Sequence, residues 1–174
     1  MRPALLLSLL VVGCVTPNKP ELTSPSRRVV NPDEKIELTL QTYPGLAPWT
    51  LSSLRGKVVL LDVWATWCEP CRDSLPLYVD LRKEFGRDGF EVIAINVDDD
   101  PIQIPLFLNE TKIGLPIVID PHSVQSNKVL KVKVMPTTYL IDRKGVIRWV
   151  HEGFNEDMLS TWLDEIQTLV AEKP

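Results

Sequence analysis

The chain has 174 residues, 44% of them hydrophobic, and a net charge of −4. That length suits one domain with a real core and leaves little room for two. The negative balance and the lack of any basic stripe argue against nucleic acid as a partner. Arg2 supplies one positive charge, and residues 4–12 are almost wholly apolar. This stretch is too short to span a bilayer but suits a signal-peptide core, which predicts a signal peptide over 1–13.

Val11-Val12-Gly13-Cys14 sets small residues just before a cysteine and resembles the bacterial lipobox. The resemblance implies cleavage before Cys14 and acylation of that cysteine, which would anchor the protein to a membrane through its acyl chains. An ordinary secretory signal with a fortuitous cysteine is the alternative. Val15, not an acidic residue, follows Cys14, which favours the outer membrane if the host is Gram-negative. Residues 14–35 are dominated by Pro, Ser, Asn, Lys and Arg and read as a flexible tether. The folded domain is expected over 36–174.

Alternation over 36–40 predicts a short strand, Tyr43-Pro44-Gly45 a turn, and 49–51 a second short strand pairing back as a hairpin. Residues 58–64 are β-branched and aromatic and read as a central strand buried on both faces. After Cys68 the period changes. Cys71, Leu75, Tyr78, Leu81 and Phe85 fall on one helix face, with Pro70 in the first turn. Pro76 should kink this helix, and Gly86 and Gly89 offer stops. Further strands are expected over 90–97, 117–119, 137–141 and 146–151, with helices from 101 to about 110 and over 124–130. Asp142-Arg143-Lys144-Gly145 signals a hairpin. Asn155 reads as the N-cap of a last helix lined by Met158, Leu159, Trp162, Leu163, Ile166, Leu169 and Val170. This order predicts an α/β fold, a central mixed sheet flanked by helices and ending in a hairpin.

Cys68 and Cys71 form a Cys-x-x-Cys pair at the predicted strand–helix junction. The thiolate is the reactive species, and a helix N-terminus stabilises it through unpaired N–H groups and partial positive charge. Cys68, entering the helix, is the expected nucleophile and the more exposed sulfur. Cys71, one turn inside, is the expected resolving thiol. Half a zinc site and a structural disulfide share the spacing. The domain offers no other cysteine, and its histidines, His122 and His151, are isolated, so no metal site is assigned.

The run from Leu61 to Arg72, with Ser53 to Leu60 before it and Pro136 to Asp142 plus Gly145 after it, resembles the thioredoxin superfamily. The match is to its extracytoplasmic branch of TlpA-like and ResA-like membrane-tethered oxidoreductases. It implies a thioredoxin-like fold with an N-terminal short β-hairpin extension. It also implies that Asp62, six residues before Cys68, is the buried carboxylate that exchanges the proton of Cys71. Trp67 would shield the active-site rim, Met135 would line the substrate groove, and Pro136 would follow a cis bond beside the dithiol, where substrate backbone can pair. No organic cofactor is implied. The partners implied are protein thiols and disulfides and a membrane electron donor of the CcdA or DsbD type.

Ser74 occupies the position, three after the second cysteine, where ResA-like and TlpA-like sequences often carry a thiol-tuning glutamate, and Asp73 would point elsewhere. Glu69 matches the ResA-like Cys-Glu-Pro-Cys loop, and its charge should make the dithiol less oxidising. Asp98-Asp99-Asp100 reads as a solvated loop with helix N-terminal charge, His122 and His151 as surface or strand-end residues, and Trp49, Trp149 and Trp162 as packing.

The leading expectation is a disulfide reductase on the extracytoplasmic face of a bacterial membrane. One alternative is a peroxiredoxin-like peroxidase, whose family needs threonine three residues before the reactive cysteine, where this chain has Ala65. The other is a copper chaperone similar to Sco proteins, which have wider cysteine spacing and a histidine ligand.

Overall fold

The computed structural model describes residues 26–28 and 35–173. Cys14, the expected signal peptide and most of the expected tether lie outside the described residues. One sheet is built from β1 (Ser26–Arg28), β2 (Thr39–Tyr43), β3 (Pro48–Thr50), β4 (Val58–Trp64), β5 (Phe90–Asn96), β6 (Ile117–Ile119), β7 (Thr137–Ile141) and β8 (Ile147–Glu152). Their order is β1-β8-β7-β4-β5-β6-β2-β3. β4 runs parallel to β5, and β5 to β6, while the other pairs are antiparallel. Three helices complete the fold among the described residues: α1 (Glu69–Phe85), α2 (Ile104–Thr111) and α3 (Leu159–Ala171).

Every residue of β4 is buried, because helices cover the parallel centre of such a sheet. The pairing of β4 with β7 sets Asp62 opposite Thr138, and that of β7 with β8 sets Thr138 opposite His151. Directly paired residues share a sheet face, so these three polar side chains form one row. Cys71, Leu75, Tyr78, Leu81 and Phe85 of α1 are buried at the predicted spacing. The helix runs on through Pro76, which is exposed.

Several expectations need correction. The first domain strand lies at 39–43, not 36–40: Ile36 and Leu38 are buried as the alternation requires, but the ladder to β6 uses Gln41 to Tyr43. Alternation reports the buried face, whereas strand pairing depends on a distant partner. The hairpin of β2 and β3 does extend the sheet beyond β6. Residues 26–28, inside the stretch read as a tether, pair with β8. The short helix expected over 124–130 is present: after a 3-10 turn at Pro121–Ser123, residues 124 and 125 run helically into a π-helical turn at Ser126–Leu130. Buried Asp120 accepts the N–H groups of Gln125 (3.1 Å) and Ser126 (2.6 Å) and fixes this turn. Asn155 holds the N-cap position of a 3-10 turn ahead of α3, but its side chain makes no capping bond.

His151 is not a surface residue. It is buried against Trp162 and pairs with Glu165 of α3 at 2.7 Å. Glu165 lies on the same helix face as Trp162, Ile166 and Leu169, so the apolar stripe of α3 carries one buried acid matched to one buried histidine.

Candidate active site

β4 ends at Trp64, and Ala65, Thr66 and Trp67 lead to Cys68, the N-cap of α1. Pro70 in the first helical turn loses no hydrogen bond, because the first N–H groups of a helix have no partner within it. Cys68 and Cys71 are joined in a disulfide, with their Cα atoms 5.3 Å apart. Cys68 retains 4% exposure and Cys71 none. Cys68 also lines a cleft of about 470 Å³ with Val63, Trp67, Pro70, Val134 and Met135. Trp67 stands at this cleft 67% exposed. The Met135–Pro136 bond is cis, as is Tyr43–Pro44.

The loop before Cys68 is held by Asp98, not left to solvent. The Asp98 carboxylate is buried and accepts the Thr66 N–H (3.1 Å), the Thr66 hydroxyl (3.2 Å) and the Asn96 side-chain amide (2.8 Å). Asn96 in turn accepts the Asp98 N–H at 3.1 Å. The three aspartates have separate roles: Asp99 lies 3.0 Å from exposed His122, and Asp100 accepts the Ile102 N–H at 3.0 Å to cap a helical turn. They do not converge as a cation site.

Loss of the Asp98 clamp should loosen the loop before Cys68. An Asp98→Ala variant is expected to lose about 1–3 kcal/mol of stability, the cost of leaving buried donors unmatched. Thermal or urea unfolding measures it, and an unchanged midpoint would remove the clamp from the account.

Asp62 lies at the centre of β4 with no exposed surface. Burial raises its carboxyl to about 8, against smaller opposing effects of hydrogen bonds with Thr138 and Tyr78. Thr138 donates to Oδ1 of Asp62 at 3.0 Å, and the Tyr78 hydroxyl lies 3.0 Å from the Thr138 hydroxyl. Burial, and then the nearby Asp62 carboxylate, push the Tyr78 hydroxyl well above its usual range. Ser74 is fully buried and donates to the Cys71 carbonyl at 3.4 Å. Asp73 beside it is exposed. Glu69 is largely exposed and lies 3.9 Å from Arg72, whose guanidinium also reaches Glu110 and stacks on Phe107.

The fold thus brings Cys68, Trp67 and Met135 to one cleft beyond the C-terminal end of β4, with Cys71 bonded to Cys68, Pro136 next to Met135, and Asp62 buried on β4. The sequence reading missed Asp98, Thr138 and the hydroxyl of Tyr78. The one available signal was polar atoms at core positions of apolar patterns, which cannot name a partner.

The sequence profile of the AhpC/TSA family matches residues 23–150. ResA, a thiol-disulfide oxidoreductase of Oceanobacillus iheyensis, is 34% identical over 117 residues, covering 67% of this chain and 60% of that protein. ResA of Bacillus subtilis is 34% identical over 118 residues, covering 67% of this chain and 65% of that protein. The chain therefore spans less than two thirds of either relative. A crystal structure from Chlorobium tepidum, provisionally assigned as the thiol:disulfide interchange protein DsbE, superposes with a TM-score of 0.76. It is 29% identical and covers 83% of this chain and 100% of its own. The fold described above is accordingly thioredoxin-like.

Proposed function

The chain belongs to the AhpC/TSA family, and from that premise we propose that it is a thiol–disulfide oxidoreductase that reduces disulfides of extracytoplasmic proteins. The reading rests on one observation: a Cys68–Cys71 disulfide at the N-terminus of α1, open to a cleft through Cys68, with Asp62 buried on β4 six residues before it. The ResA relatives, named as thiol-disulfide oxidoreductases, support it.

In the reduced protein the Cys68 thiolate attacks one sulfur of a substrate disulfide. The other substrate sulfur leaves as a thiolate and takes a proton from water, and a Cys68–substrate disulfide remains. Cys71 then gives its proton to Asp62 and attacks the Cys68 sulfur. The second substrate sulfur leaves, takes a proton, and the Cys68–Cys71 disulfide forms. Two electrons pass from the dithiol to the substrate. Trp67 and Met135 border the groove in which an extended substrate segment would lie, and Pro136 follows Met135 through a cis bond.

The dithiol is regenerated by a thiol donor, proposed to be a membrane protein of the CcdA or DsbD type. Acylated Cys14 would hold the domain at a membrane, the outer one if the host is Gram-negative. No helix among the described residues is long and apolar enough to cross a membrane. A peroxidase is less well supported, since Ala65 stands three residues before Cys68 and the Thr66 hydroxyl is bound to Asp98.

The equilibrium reduction potential of the Cys68–Cys71 couple, measured against glutathione or dithiothreitol, tests the direction. A value near or below that of thioredoxin, about −270 mV, is expected for a reductant. A value near about −120 mV would make the protein a donor of disulfides. Absence of a reversible couple would end the enzyme reading.

A further inference from the structure

Under α1, three polar side chains with no exposed surface form one connected set: Tyr78, Thr138 and Asp62. The register of β4 and β7 brings Thr138 beside Asp62, and Tyr78 reaches Thr138 from α1. The direction of the hydrogen bonds follows from the inventory of donors. Thr138 has one O–H and gives it to Oδ1 of Asp62, so towards Tyr78 it can only accept. The Tyr78 O–H therefore donates to Thr138, and both hydroxyls are polarised towards one carboxylate oxygen. Oδ2 of Asp62 is buried and has no hydrogen-bond partner among the described residues.

We propose that Thr138 and Tyr78 are positioning residues of the exchange reaction, holding Asp62 by Oδ1 so that Oδ2 is the oxygen that takes the proton of Cys71. The proposal rests on the oxidoreductase reading above. A proton on Oδ1 would oppose the Thr138 O–H and force both hydroxyls to reverse. A proton on Oδ2 leaves the chain as it stands. The hydroxyls also offset part of the burial that drives the carboxyl upward, which keeps it able to release the proton again. No cation sits opposite Asp62 in its row: its partner on β5 is Ala94, and on β7 it is Thr138. From α1, Tyr78 joins this row through Thr138, and Cys71 lies two turns earlier on the same buried face of the helix. Beyond Thr138, His151 of β8 is tied to Glu165 of α3 at 2.7 Å.

The test is the decay of the mixed disulfide formed when the reduced protein meets a disulfide-linked peptide. Reactions are quenched with acid between pH 5 and 10, and the species are separated by mass. In the unaltered protein the decay should quicken towards an apparent midpoint near 8, where Asp62 loses its proton. Thr138→Val and Tyr78→Phe should each move the midpoint up by roughly one pH unit. Each would then be about tenfold slower at pH 7 and converge with the parent at high pH. Thr138→Ser should restore the parent profile. Equal slowing at every pH in both variants would make them scaffold residues only and overturn the proposal. Asp62→Asn serves as the reference: if it keeps the parent midpoint, the role of Asp62 itself fails, a different result from a failure of Thr138 and Tyr78 alone.

Discussion

Replacing Cys71 by serine is expected to arrest the protein as a stable mixed disulfide between Cys68 and its substrate. Cys68 lines the cleft, and Cys71 is fully buried one turn into α1, so only Cys68 can meet a substrate sulfur first. Cys71 then attacks within the same molecule, where a well-placed group acts at an effective molarity of about 10⁵–10⁸ M. Without it, escape depends on an external thiol at millimolar concentration. The adduct should therefore persist at least about 10³-fold longer, and mass spectrometry after mixing with a disulfide peptide would count it. Cys68→Ser should give no adduct, because its remaining thiol has no access to the cleft. Trapping on Cys71 in that variant would reverse the two roles.

Asp62→Asn is expected to stabilise the fold near neutral pH while impairing the release step. The folded-state carboxyl sits near 8, against an ordinary value of 3.8. Below pH 4 the acid is protonated in both the folded and unfolded chain, and its burial carries no ionisation cost. Between 4 and 8 the unfolded chain gives up the proton while the folded chain retains it, so stability falls with rising pH. At about 1.36 kcal/mol per unit, the loss reaches on the order of 4 kcal/mol at pH 7. Above 8 both forms are ionised and the loss stops growing. Asparagine has the shape of the neutral acid, can still accept from Thr138, and does not titrate. Its amide N–H groups lack a partner, which returns about 1–3 kcal/mol of the gain. Urea unfolding at pH 4.5, 6 and 8 should show the variant's advantage growing with pH. Parallel midpoints would mean that Asp62 is already ionised in the fold at neutral pH. A growing advantage would mean that the protein keeps a destabilising buried acid where proton transfer can use it.

The elements around the site were legible because their signals are local. β4 reads as seven consecutive buried residues, α1 as a three-to-four-residue stripe closed by glycines, and β7 and β8 as two strands about an Asp-Arg-Lys-Gly turn. Elements that failed were those whose form depends on a distant partner. The stretch at 36–40 carried the right buried face but paired only from Thr39 onward. The short helix over 124–130 formed as expected, but its π-type end is set by the buried Asp120 carboxylate as well as by its own pattern.

The sequence by itself determined the dithiol, its place at a helix start, the acid on the central strand and the proline ahead of β7. Each lies within a run of a few residues whose spacing carries the chemistry. Only the tertiary structure decided what those groups touch. Thr138 meets Asp62 across 76 positions of chain, Tyr78 meets Thr138 across 60, and Asp98 reaches Thr66 across 32. His151 looked like a strand-end residue until the packing of α3 on the sheet gave it Glu165. Hydrophobic periodicity records which face is buried. A buried hydrogen bond needs one particular donor at about 3 Å, and register and helix packing choose that donor.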